Sequence, residues 1–313
     1  MSQRLNSIIR QFSVKPAQIK QIAKRVFLYF GCLFLVVNVL EWKILYLPSV
    51  DGQFSHNNYP YFKSPQERNL PFEDIEIQHD GVELKGWFIK QQNFQTAPTV
   101  VFFHENAGNI GWRLEYAHQY YDRVKCNFVI VAYRGYTYST GTPHQNGIQK
   151  DANAITNYVF NNLKIDKSNV FAHGRSLGGA VATYAFHQRQ ENAKQTGEMQ
   201  YKGLIIENSF TQIADVVSNM NSLFKILSPF IMFNTWKTID LVPKIQNPIL
   251  FISSGQDEVI PHQQMFRLSQ AAQNTSQKFD YHIPHGDHNS NWNYDRNEYF
   301  GTIQKFINST SQL

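Results

Sequence analysis

Residues 169–180 read Asn169-Val-Phe-Ala-His-Gly-Arg-Ser-Leu-Gly-Gly-Ala180. Asn169–His173 is a short apolar run of strand type, and a helix-like run follows over Leu177–Gln190. Between them stands G-x-S-x-G, from Gly174 through Ser176 to Gly178. A strand that turns directly into a helix around a serine bends so tightly that side chains two residues before and two after would collide. The serine is thereby lifted above the sheet at a helix N-terminus, among backbone N–H groups. A glycine-rich βα turn with an incidental serine gives the same string, but the apolar strand ahead of it favours the reactive reading.

Other runs extend this unit into a fold. Phe72–Gln78 and Val82–Ile89 flank Asp80-Gly81, a hairpin signal. Thr99–His104, Asn127–Tyr133, Gly203–Glu207, Ile249–Ser253 and Phe279–Ile283 are short, β-branched and unalternated, as strands covered on both faces should be. Helix-like stretches lie at 111–123, 145–161, 262–272 and 294–307. A hairpin followed by β–α repeats predicts a mostly parallel α/β sheet of eight strands with helices on both faces. Thr211–Asn247 separates two strands by 37 residues rich in Phe, Leu, Ile, Met and Trp, which reads as a short helical cap or core cover.

A serine nucleophile needs a base, and the base an orienting acid. In hydrolases of this architecture they follow in the order Ser, acid, His, on loops at strand carboxyl ends. The loop after Ile249–Ser253 offers Asp257, with Glu258 adjacent. The last strand and the loop after it offer His282, His285 and His288. His282 lies within the strand and suits packing, and His285 precedes Gly286 and suits turn formation. An oxyanion hole takes one donor from the N–H after the nucleophile, Leu177, and another from the turn after Thr99–His104. There Asn106 is the candidate, through its backbone; turn formation alone also explains Asn106 and Asn109. No metal or organic cofactor is called for.

Composition sets the rest. The chain is 42% apolar and 17% charged, which excludes a disordered protein. Two cysteines, Cys32 and Cys126, exclude a disulfide scaffold and a multi-cysteine zinc site. The net charge of +5 is located at one end. Arg4, Arg10, Lys15, Lys20, Lys24 and Arg25 stand in residues 1–25 without an acid, so the remaining body is close to neutral and nucleic acid is not a partner.

Val26–Leu40 is free of charge, and helix to about Leu47 would cross a bilayer, with Trp42, Lys43 and Tyr46 as interfacial anchors. No small-x-small cleavage site follows Leu40, which argues against a removed signal peptide. The expected organisation is a basic cytosolic tail (1–25), a transmembrane anchor (26–47), a linker (48–71) and a catalytic domain (72–313) with its insertion at about 211–247. The cations ahead of the span predict a single-pass type II protein of the endomembrane system, its body lumenal. Two N-x-S/T sequons, at Asn274 and Asn308, are compatible with that side.

Several stretches together resemble one family: Phe103-His-Glu-Asn-Ala-Gly-Asn-Ile-Gly111, Tyr133-Arg-Gly-Tyr136, Gly174-Arg-Ser-Leu-Gly-Gly-Ala-Val181, Glu207-Asn-Ser-Phe-Thr211, Trp236-Lys-Thr-Ile-Asp240, Gln256-Asp-Glu-Val-Ile-Pro261, and His288-Asn289 with Trp292. They are similar to α/β-hydrolase domain-containing protein 13 and its fungal and plant relatives, the Bem46-like serine hydrolases, over about residues 70–307. The resemblance implies an α/β-hydrolase fold with a short cap, a nucleophile at Ser176, an acid at Asp257 and a base at His288. Three positions depart from the family pattern: Glu105 and Thr137, where many members have glycine, and Ala132, where many have aspartate. The family is one of membrane-anchored hydrolases, with depalmitoylases in the wider group. Protein depalmitoylation is therefore the first expectation and hydrolysis of lysophospholipids or other lipid esters the second; a lumenal body would favour the second. The alternative class is a non-catalytic membrane scaffold that keeps the fold. The lipid bilayer and an acyl-chain substrate are the partners implied.

Overall fold

The computed structural model describes residues 64–220, 234–312, the stretch 45–48 and isolated positions between 20 and 43. Most of the basic tail and the anchor, residues 49–63 of the linker and 221–233 of the insertion lie outside the described residues. Among the described residues no helix is long and apolar enough to cross a membrane.

Eight strands form one sheet: β1 (Phe72–His79), β2 (Val82–Ile89), β3 (Thr99–Phe103), β4 (Asn127–Val131), β5 (Val170–Arg175), β6 (Gly203–Glu207), β7 (Ile249–Ser254) and β8 (Lys278–Ile283). Their spatial order is β1-β2-β4-β3-β5-β6-β7-β8. The β1–β2 and β2–β4 pairs are antiparallel and the others parallel. Asp80 and Gly81 both have positive φ, 49° and 74°, as a hairpin turn matched to strand twist requires. Strands β3 to β6 are buried throughout, which is why their sequences do not alternate.

Among the described residues from 64 onward the α-helices are α1 (Leu114–Gln119), α2 (Gln145–Asn162), α3 (Leu177–Thr196), α4 (Ile213–Met220), α5 (Gln263–Ala271) and α6 (Arg296–Ser311). Successive residues of β5 separate the two faces. Phe171 and His173 meet the rings of Phe306 from α6 and of Tyr116 and Tyr120 from the α1 side, whereas Gly174 abuts α3. The helix read at 111–123 is three pieces: a 3-10 turn at Ile110–Arg113, α1, and a π turn at Tyr120–Val124. The Asn109 side chain, accepting from the Trp112 N–H at 3.2 Å, fixes its start. Helix α3 runs past Gln190 to a C-cap at Gly197, whose φ of 73° suits glycine.

Two boundaries differ from the sequence reading. Ser64 caps a turn at Pro65–Arg68, and Leu70 is buried, so the folded body takes in the end of the linker. Tyr46 is not an interfacial anchor. It is 1% exposed, its OH donates to Asn234 Oδ1 at 2.8 Å, and Leu47 forms a parallel bridge to Ala107. Leu45 is the last helical residue of that stretch, so an anchor helix cannot run on to Leu47. A phenol that finds apolar walls and a hydrogen-bond partner inside the body has no reason to remain at an interface.

Candidate active site

Ser176 sits between β5 and α3 at φ 55° and ψ −124°, a strained conformation for a residue with a side chain. The glycines around it have no freedom to be anything else. A Cβ on Gly174 would stand 1.9 Å from the Gly178 carbonyl oxygen, and one on Gly178 would stand 1.9 Å from that of Phe103. The second closeness brings the start of α3 against the end of β3, and with it the turn that follows. Strand β5 runs two residues past the His173 expected from sequence. Pairing with β6 continues through Arg175↔Glu207, and the Ser176 N–H donates to the Glu207 carbonyl at 2.9 Å.

The loops after β7 and β8 bring Asp257 and His288 to this serine. His288 Nε2 lies 3.0 Å from Ser176 Oγ, and its Nδ1 lies 2.7 Å from Asp257 Oδ2. The carboxylate accepts only, so Nδ1 carries the proton and Nε2 is left to accept from the serine hydroxyl. Asp257 is in turn aimed by its other oxygen, which accepts the N–H groups of Val259 (2.9 Å) and Ile260 (2.6 Å). Glu258 plays another part: it accepts the His288 backbone N–H at 3.3 Å. His282 pairs with Ser253 Oγ and His285 with Gln256, so neither is the histidine at Ser176.

Leu177 opens α3, where the first N–H groups lack intrahelical acceptors. Asn106, Trp112, Tyr116, Arg175, His288 and Trp292 line one cavity of about 350 Å³. The turn that carries Asn106 is stiffened from within. His104 Nδ1 donates to the Glu105 carbonyl at 2.7 Å, and Nε2 accepts the Tyr133 N–H at 3.3 Å. Burial, with Arg113 nearby, holds the His104 pKa well below the usual histidine range, so this ring is neutral. Thr137, a β-branched residue at φ 50°, accepts the Ile110 N–H at 3.1 Å and so ties the same region to the loop after β4.

Three groups of residues had no role assigned from sequence. Glu105 bridges Arg113 (2.7 Å) and Arg175, with all three side chains no more than 8% exposed. Arg175 adjoins Ser176 and Glu105 adjoins Asn106, so this ion cluster joins the two turns. An arginine inside a buried G-x-S-x-G turn is itself a signal, because it must find a carboxylate. Asn208, at φ 41°, donates through Nδ2 to Ser254 Oγ (2.9 Å) and to the carbonyls of Asp287 (3.2 Å) and His288 (3.4 Å). Ser209 Oγ donates to the Ser176 carbonyl at 2.8 Å. Beneath them, His173 lies between Tyr120 OH and Glu207 Oε2, and Glu207 is fully buried. Burial alone would raise the Glu207 pKa, but the His173 hydrogen bond and the Arg175 charge outweigh it and hold the pKa at about 2.

The prolyl oligopeptidase family model matches residues 121–312. The α/β-hydrolase domain-containing protein WAV2 of Arabidopsis thaliana is 37% identical over 281 residues, which cover 85% of this chain and 86% of that protein. Protein bem46 of Schizosaccharomyces pombe is 31% identical, covering 89% and 92%. The structure of the Pyrococcus furiosus esterase Pf2001 shares the fold with a TM-score of 0.63 at 16% identity, over 84% of this chain and 98% of that one. With an eight-stranded sheet of this order and relatives of this identity and coverage, the chain belongs to the α/β-hydrolase family that includes WAV2 and bem46.

Proposed function

We propose that this protein is a membrane-anchored serine hydrolase that cleaves acyl esters or thioesters through Ser176, His288 and Asp257. The observation that carries the reading is the hydrogen-bonded row from Asp257 through His288 to Ser176, with His288 lining the cavity beside Asn106. Ser176 Oγ attacks the substrate carbonyl while His288 Nε2 takes its proton. Asp257 keeps the imidazole in the tautomer that can do so and stabilises its cation. The N–H groups of Leu177 and Asn106 hold the oxyanion. His288 then protonates the departing alcohol or thiol, and a water deprotonated by the same nitrogen releases the acid from the acyl-serine.

The basic tail and the charge-free run at 26–40 support a type II anchor in the endomembrane system. A lumenal body favours lipid esters such as lysophospholipids; a cytosolic one favours depalmitoylation of protein cysteines. Asn274 is the better topology reporter of the two sequons, since it lies exposed in a loop whereas Thr310 of the other is buried in α6. Labelling with a fluorophosphonate tests the chemistry: wild type is expected to label and Ser176→Ala not. Equal labelling of the two would leave a non-catalytic scaffold as the reading. Turnover of thioester and glycerolipid substrates of graded chain length then assigns the leaving group.

A further inference from the structure

We propose that residues Leu45–Pro48, just after the N-terminal apolar run, are a working strap of the active site: they hold the turn that bears Asn106, and Tyr46 fastens them. This rests on the acyl-hydrolase reading above.

The strap meets the turn through consecutive backbone groups. The Leu47 N–H donates to the Asn106 carbonyl at 2.8 Å, and the Gly108 N–H returns a bond to the Leu47 carbonyl at 2.9 Å. Asn106 Nδ2 donates to the Leu45 carbonyl at 3.2 Å, and Leu47 pairs with Ala107 as a parallel bridge. On the other side of Asn106, the carbonyl of the 105–106 peptide is held by His104 Nδ1. That peptide is trans, so its N–H, the candidate oxyanion donor, leaves in the direction opposite to the held carbonyl. The donor thus lies between two fixed peptide units, one held from within the turn by His104, the other by the strap together with Tyr136 OH, which donates to the same Asn106 carbonyl at 2.8 Å.

Tyr46 gives the strap its hold. It is 1% exposed, its OH donates to Asn234 Oδ1 at 2.8 Å and accepts from Trp236 Nε1 at 2.9 Å. Asn234 Oδ1 also accepts the Gln145 N–H at the start of α2. One phenol therefore links the strap, the base of the insertion after β6 and a core helix. A tether needs only covalent continuity. Reciprocal backbone bonds to the oxyanion turn, and a buried tyrosine between them, are what a preorganised donor requires, because an oxyanion hole works only when its donors are fixed before the charge develops.

The test uses the full chain in detergent with a soluble short-chain p-nitrophenyl ester, so that membrane delivery plays no part. Active sites are counted by fluorophosphonate titration. Tyr46→Phe removes the hydroxyl without changing shape, and Leu47→Pro removes the N–H that binds Asn106. Leu47→Pro is expected to lower kcat per titrated site about tenfold or more with KM little changed, since outright loss of an oxyanion donor costs roughly 10²–10³. Tyr46→Phe is expected to lower it several-fold in the same manner, and it carries the test alone if the proline variant does not fold. Wild-type kcat per titrated site in Tyr46→Phe, with only Tm or the titratable fraction reduced, overturns the strap while leaving the hydrolase intact. Failure of wild type itself to label above Ser176→Ala overturns both.

Discussion

Replacing Glu105 with glutamine keeps the shape of the side chain and removes the one carboxylate between Arg113 and Arg175. The Glu105 side chain is 4% exposed and each arginine 8%, so solvent cannot take over the lost charge. Removing one member of a buried ion pair costs about 3–5 kcal/mol, most of it from the charge left behind. Part of that is offset here. Arg113 keeps the carbonyls of Ala107 (2.8 Å) and Asn109 (3.1 Å), and Arg175 keeps that of Asn289 (3.3 Å). Arg175 also retains the field of Glu207. The expected loss is therefore near the lower bound, about 3 kcal/mol. Urea unfolding in matched detergent reads it as a shift of the midpoint at constant slope. The control replaces the whole cluster, as Glu105→Leu with Arg113→Met and Arg175→Met, which leaves no buried charge and is expected to recover most of the loss. Because the cluster joins the residue before Asn106 to the residue before Ser176, Glu105→Gln also lowers kcat per titrated site. A loss below about 1 kcal/mol, or a triple variant no more stable than the single one, would refute the reasoning.

Three further outcomes are expected. Asn208→Asp keeps a residue that tolerates φ of 41° but turns a donor into an acceptor facing the Asp287 and His288 carbonyls; stability falls by about 1–3 kcal/mol and kcat falls with it, read by calorimetry and ester turnover. Gly178→Ala puts a methyl 1.9 Å from the Phe103 carbonyl oxygen, so the variant loses fluorophosphonate labelling even where circular dichroism shows folded protein. Glu207, with its pKa lowered from 4.5 to about 2, stabilises the fold fully above pH 4.5 and loses that contribution as pH falls toward 2. The shift is worth about 3 kcal/mol. Acid titration of Glu207→Gln, followed by intrinsic fluorescence, should show a weaker dependence through that window.

How much of this was legible in the sequence depends on distance along the chain. Strand–turn–helix chemistry is local: Gly174 and Gly178 are required by clashes within five residues and with β3, so the string announces the turn. The hairpin at Asp80-Gly81 and the cap at Gly197 are local in the same way. The acid and the histidine were legible as loop positions, because parallel strands put successive loops at one end of the sheet. The choice of His288 over His282 and His285 leaned on the family resemblance, since the local sequence does not say how the last loop bends. Asp287 bends it, accepting from the Ser290 N–H and hydroxyl at 2.5 Å, and Asn208, in the turn just after β6 and 80 residues before His288, holds its carbonyls. Tyr46 was misread for the same reason: an aromatic after an apolar run looks interfacial unless its partners, Asn234 and Trp236, are known to fold back on it.

The two arginines at the cavity invite the idea of an anionic substrate, and the charges around them oppose it. Arg113 and Arg175 face Glu105 directly, and Arg175 also lies in the field of Glu207. Two cations are thus set against two carboxylates, with His288 satisfied by Asp257. The guanidinium groups are further engaged by backbone carbonyls, and their central carbons lie over the rings of Trp112 and Tyr116, at 5.7 and 5.4 Å from the ring centres. Arg175 Nε has no hydrogen-bond partner among the described residues, but the other contacts of the two groups are ones a phosphate or carboxylate would have to displace. Their work is internal, holding the turn that bears Asn106 against the turn that bears Ser176. On the acyl-hydrolase reading proposed above, recognition falls to the shape of the cavity and to its aromatic walls, Trp112, Tyr116 and Trp292, which suits an uncharged acyl group.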